Sequence, residues 1–145
     1  MKIDFWQLSR DPVERVVAMI AQRVIESGER LLVVADNSER LDKVAETLWD
    51  TSPEAFLANG KADGAHSERQ PILLSSDCAA PNGANHVIFA DGKWREEASN
   101  FDRSFLLFDE TTRNTARQCW RSLDDIENLE RSFYRQDGSK WTKVA

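Results

Sequence analysis

Three short stretches constrain this chain most: residues 31–35 (Leu-Leu-Val-Val-Ala), 86–90 (His-Val-Ile-Phe-Ala) and 105–108 (Phe-Leu-Leu-Phe) are almost unbroken apolar runs of strand length. A strand with one wet face alternates apolar and polar residues. A run without alternation needs cover on both faces, which is the condition of a parallel sheet held between helices. The segments between the runs supply that cover. Val13, Val16, Val17, Ile20 and Val24 recur at helical spacing, and Leu41, Val44, Ala45 and Leu48 do the same. The expected fold is therefore α/β and Rossmann-like, a mostly parallel central sheet with helices on both faces.

Local signals place the boundaries. Asp11-Pro12-Val13-Glu14 reads as a helix start, with Asp11 as N-cap, Pro12 at the first helical position and Glu14 completing a capping box. Gly28 ends that helix, Ser38 caps the next, and Ser52-Pro53 closes it. Residues 3–7, 71–75 and 131–135 read as further strands, and Pro81-Asn82-Gly83 as a turn. The stretch 58–68 reads as a loop and 111–126 as the last helix, and the chain turns at Asp137-Gly138 towards Trp141. With no internal repeat or linker, residues 1–145 are expected to form a single domain, large enough to bury one core.

Charge and cysteine usage narrow the function classes. A formal net charge of −6 lacks the electrostatic footprint of a protein that grips nucleic acid, because phosphate contacts supply most of that affinity. No strong direct binding to nucleic acid is expected, and no apolar run approaches membrane-spanning length. The opening Met1-Lys2-Ile3-Asp4-Phe5-Trp6 does not read as a secretory leader. Cys78 and Cys119 have no metal or redox spacing, so two free thiols in a reducing cytoplasm are expected.

A doubly wound sheet raises the alternative of a nucleotide-binding or nucleotide-hydrolysing domain. The turns Gln7-Leu8-Ser9-Arg10 and Asp36-Asn37-Ser38-Glu39 hold no glycine, and neither phosphate-cradling motif occurs. His66 and His86 stand alone, with no nucleophile or metal pattern around them. The pattern thus points to no catalytic residues, no cofactor and no metal. Asp109-Glu110 ahead of the last helix are explained by the helix dipole.

The unusual constellation lies on that last helix. Thr112, Ala116, Cys119, Leu123 and Ile126 recur as its inner face, while Arg113, Arg117 and Arg121 recur every fourth residue along a neighbouring face. Trp120 falls at the seam between the two. Stacked like charges cost a few tenths of a kcal/mol per pair in an isolated helix. Asp109 can offset Arg113 and Asp125 can offset Arg121, but Arg117 has no acidic residue three or four positions away. Arginine presents planar bidentate donors to carboxylates, and tryptophan with arginine dominates interface hot spots. The pattern fits a dock for an acidic ligand with an apolar group. It fits equally a solvated face with Trp120 folded under the arginine stems.

The chain also resembles the chi subunit of bacterial DNA polymerase III over nearly its whole length. The stretches that carry the likeness are Leu48-Trp49, Pro53-Glu54-Ala55-Phe56-Leu57, Gln70-Pro71-Ile72-Leu73-Leu74, Pro81-Asn82-Gly83-Ala84 and Phe105-Leu106-Leu107-Phe108-Asp109. Further on come Ala116-Arg117-Gln118-Cys119-Trp120-Arg121, Tyr134-Arg135-Gln136 and Gly138-Ser139-Lys140-Trp141. The resemblance implies a non-catalytic clamp-loader accessory subunit of DNA replication with two protein surfaces. One binds the acidic C-terminal tail of the single-stranded DNA-binding protein, through positions matching Leu106, Arg113, Arg117, Trp120 and Arg121. The other binds the psi subunit, through Trp49, Pro53, Phe56 and Leu57. The chain departs from the family in having Ala58-Asn59 where Pro-His is usual; many relatives carry lysine at Arg121, and others tyrosine at Trp120.

Overall fold

The computed structural model describes residues 1–51, 57–138 and 140–145. Eight strands make one sheet: β1 (Lys2–Gln7), β2 (Leu31–Val34), β3 (Asn59–Lys61), β4 (Ile72–Ser75), β5 (His86–Phe89), β6 (Arg103–Phe108), β7 (Glu130–Asp137) and β8 (Lys140–Lys143). Their spatial order is β3-β4-β2-β5-β6-β1-β7-β8. Every neighbouring pair is parallel except β7 and β8, which form an antiparallel hairpin at one edge. The helices are α1 (Val13–Glu26), α2 (Ser38–Thr51) and α3 (Arg113–Ser122). This is the α/β architecture that the unbroken apolar runs require.

Strand alternation sends side chains into two separate cores. Trp6, Leu31, Val33, Ile72, Leu74, Ile88, Phe105 and Leu107 pack against α1 and α2. Ile3, Phe5, Leu32, Val34, Val87, Phe89, Leu106 and Phe108 pack on the opposite face against α3 and the segment around Ala98 and Phe101. Parallel register then lines up a row across the sheet. Phe89 pairs with Leu106, Leu106 with Phe5, and Phe5 with Phe133. This row is the floor on which α3 stands.

Several local expectations are corrected. Asp11 is not the N-cap of α1. Pro12 takes that position in extended conformation, with no side-chain cap hydrogen bond. Asp11 is drawn instead to Gln136, whose Nε2 donates to Asp11 Oδ2 at 2.8 Å. The Oε1 of Gln136 accepts from the backbone N–H groups of Ser9, Arg10 and Asp11 at 3.1, 3.0 and 3.2 Å. The loop after β1 is thereby tied to β7, a long-range arrangement that outcompetes the local cap. At α2 the cap comes from Asn37, whose Oδ1 accepts from Glu39 N–H at 2.8 Å, while Ser38 is already helical.

Within the segment read as loop, residues 59–61 form the edge strand β3, and Ser67–Arg69 makes a single 3-10 turn. The α3 helix is shorter at both ends than predicted. Leu123 is its C-cap and Ile126 lies beyond, 45% exposed, so the inner face reduces to Ala116, Cys119 and Leu123. The turn at Gly92 (φ +75°) approaches the start of α3 so closely that a Cβ would meet Thr112 Cβ at 2.8 Å. Ser52-Pro53, read as the close of α2, lies outside the described residues.

Gln136 is 2% exposed, and its removal takes four hydrogen bonds from the loop after β1. Gln136→Leu is expected to lower stability by about 1–2 kcal/mol, since a typical hydrogen bond contributes about 0.5–1.5 kcal/mol net. Urea unfolding checks this as a lower midpoint at unchanged slope.

Candidate protein-docking surface

The floor beneath α3 explains where its side chains go. Ala116, Cys119 and Leu123 point down onto Phe5, Leu106, Phe108 and Phe133, and all three are buried. Trp120, one position on from Cys119, stands half-buried at the margin. Its ring meets Phe5 edge-on (centroids 5.1 Å apart, planes at 75°) and Phe133 likewise (5.9 Å, 82°). Such edge-to-face contacts contribute about 0.5–1.5 kcal/mol each beyond area burial. The indole is therefore held upright at the seam that the helical spacing assigned to it.

The arginine row runs along the outer side. Arg117 and Arg121 are exposed and Arg113 is partly buried. Among the described residues none of the three forms an ion pair. Of the partners that sequence spacing offered, Asp125 makes no ion pair among the described residues, and Asp109 is engaged in the turn before α3. Asp109 accepts from Thr111 N–H (2.9 Å), Thr111 Oγ1 (2.6 Å) and Thr112 N–H (3.3 Å). These bonds, chiefly the Thr111 hydroxyl, hold its carboxyl below the usual carboxylate range. The carboxylate is thus ionised at neutral pH, and the stability these bonds contribute is lost as pH falls through the lowered pKa.

Asp124 is taken by Arg131 from β7. Arg113 Nε is buried and has no hydrogen-bond partner. Beside it lies a cleft of about 310 Å³ lined by Gln7, Leu8, Asp109, Glu110 and Thr111. The surface thus carries three cations that form no ion pair among the described residues, beside a partly exposed indole, on a chain whose net charge is −6.

Leu106 does not belong to the exposed part of this surface. It is fully buried, because a parallel strand covered on both faces offers solvent nothing. It supports α3 from below. Three residues of this region carried no signal in the sequence. Phe5 and Phe133 come from strands whose register alone brings them under Trp120. Arg131 lays its guanidinium 4.2 Å from the centre of the Trp120 ring. No periodicity links a strand residue to a helix that ended nine positions earlier at Ser122.

The residues assigned to the second surface separate. Trp49, near the end of α2, is 56% exposed, the largest exposure among the large hydrophobic residues described. Leu57 is 2% exposed and belongs to the core against α1 and α2. Pro53 and Phe56 lie outside the described residues.

The rest of the molecule presents little chemistry. A cleft of about 390 Å³ opens at the carboxyl ends of β1, β2 and β6, where open α/β sheets bind ligands. Four carboxylates (Asp11, Glu14, Glu39, Asp109) line it against Arg40 and Lys43, with no glycine, a poor setting for a phosphate. No cluster among the described residues suits a metal ion, and no described helix is long and apolar enough to cross a membrane. Both cysteines are free. Burial pushes the Cys78 thiol up to about 11, aided by Glu97, and the Cys119 thiol up to about 12. Alkylation of Cys78 by iodoacetamide at pH 8 is expected to run roughly a hundredfold slower than that of an unshifted thiol. Mass spectrometry of timed samples checks this.

A family model described as DNA polymerase III chi subunit, HolC, matches residues 1–128. The match takes in all of α3 and stops short of β7. No curated protein matches the chain.

Proposed function

The chain belongs to the DNA polymerase III chi subunit family, an accessory part of the replication machinery, and from that premise we propose that it is a non-catalytic adaptor in the cytoplasm. Its α3 surface docks the acidic C-terminal tail of the single-stranded DNA-binding protein. A second surface, around Trp49, joins it to the psi subunit and so to the clamp loader.

The observation that carries the tail-docking role is an arginine row that forms no ion pair among the described residues. A stack of like charges is a standing cost, which an arriving acidic segment turns into attraction. Arg113, with a buried Nε that lacks an acceptor, sits at one end of the row. Trp120, propped by Phe5 and Phe133, offers its half-exposed indole to the apolar residue that ends such a tail. Leu106 contributes as the floor beneath α3. An exposed tryptophan on a helix end is the usual seed of a protein interface, and this supports the psi assignment for Trp49.

Calorimetry with an acidic peptide ending in a free phenylalanine tests the first half. Binding is expected at low salt and is weakened by screening as ionic strength rises. Arg117→Ala is expected to weaken it about tenfold or more, the worth of one charge-assisted hydrogen bond. No heat at low salt, or unchanged binding by the variant, rejects the docking role. For the second half, Trp49→Ala is expected to lose co-purification with a co-expressed psi subunit while keeping the peptide affinity. Retention of psi by that variant removes Trp49 from the interface.

A further inference from the structure

Arg131 occupies a position that neither the arginine spacing nor the family match reaches. It comes from β7, beyond residue 128 where the match ends. Three contacts hold its guanidinium. The plane lies over the Trp120 ring at 4.2 Å. One terminal nitrogen donates to the Trp120 carbonyl oxygen, among the last carbonyls of α3 and therefore at the negative end of its dipole. The other donates to Asp124 Oδ1. The first two contacts pin the group from beneath and behind. The third faces outward: the Asp124 side chain is 57% exposed, while that of Arg131 is only 23% exposed.

We propose that Asp124 is an internal stand-in for the partner: its carboxylate occupies the outer donors of Arg131 in the free protein, and a carboxylate of the docked acidic segment displaces it. The inference rests on the docking role argued for α3. The exchange is inexpensive because an exposed ion pair contributes little. The guanidinium does not have to be reordered, since ring and carbonyl keep it in place when Asp124 leaves, and such preorganisation favours binding. Arg131 thereby adds a fourth cation, against the ring of Trp120. The covered ring face also limits how an apolar end group approaches: it meets the free edge of the indole, with a guanidinium ready for the carboxylate beside it. Asp124 is a weak autoinhibitor, setting a threshold that a single stray carboxylate does not pass and a run of acidic residues does.

The test compares Asp124→Asn with Asp125→Asn, since both remove one negative charge but Asp125 has no ion pair among the described residues. The probe is an acidic peptide ending in phenylalanine, as free acid and as C-terminal amide, titrated calorimetrically. Asp124→Asn is expected to tighten binding by up to about fivefold, the upper end for an exposed ion pair, and Asp125→Asn to change it much less. Arg131→Lys, which keeps the charge but loses the planar fork and the stack, is expected to weaken binding severalfold and to abolish the Asp124→Asn gain. The amide tells whether the displacing group is the terminal carboxylate, in which case the gain vanishes with it, or an acidic side chain, in which case it persists. Equal gains from Asp124→Asn and Asp125→Asn, or none, overturn the displacement while the docking role stands on wild-type binding and its loss in Arg117→Ala. Absence of binding by wild type and by Asp124→Asn alike rejects the docking role and this inference together.

Discussion

Burial of the central sheet on both faces is the constraint from which the rest follows. A parallel strand in this position exposes nothing, so each must be apolar throughout, and each face must find its own helices. Here α1 and α2 cover one face, while α3 and the segment around Ala98 and Phe101 cover the other. The second cover is thin. A helix of ten residues, Arg113–Ser122, gives little more than Ala116, Cys119 and Leu123 to the core, and the rest of its circumference is left to solvent. A short helix with a narrow apolar stripe is a natural carrier for a docking surface, because most of its side chains have no packing duty.

The same economy accounts for Trp120. A large ring at the margin of a narrow stripe would tilt or fold away without support. The row Leu106, Phe5, Phe133 gives it two edge-to-face neighbours from the sheet, and Arg131 closes one face. The indole is thus fixed before any partner arrives. Around it the charge distribution is opposite to that of the chain as a whole. Of the nearby carboxylates, Asp109 is bonded to Thr111 and Thr112 and Asp124 to Arg131, while Asp125 makes no ion pair among the described residues.

The edges of the sheet receive different treatment. At one end the β7–β8 hairpin closes through Gly138 and packs Trp141 against Trp6 at 4.8 Å, while Lys140 and Lys143 keep the outer strand charged, a common device against unwanted strand pairing. Gln136 on β7 then ties the loop after β1 to this end of the sheet. At the other end the short β3 leaves little edge to cover, and Trp49 projects from the neighbouring α2 helix.

The periodic part of the molecule was legible in the order of its residues. Unbroken apolar runs specified buried parallel strands, and helical spacing specified α1, α2 and the inner face of α3. Four-residue spacing put Arg113, Arg117 and Arg121 in one row with Trp120 at its seam. These readings succeed because each depends on residues a few positions apart, whose geometry the backbone alone dictates. Long-range packing settled the rest. It placed Phe5 and Phe133 beneath Trp120, buried Leu106 and Leu57, moved Asp11 from a cap to Gln136, and brought Arg131 across from another strand. Each of those outcomes rests on strand order or register between segments distant in the chain. Where local and long-range hydrogen bonds compete for one side chain, as at Asp11 and Asp109, only the folded arrangement shows which wins.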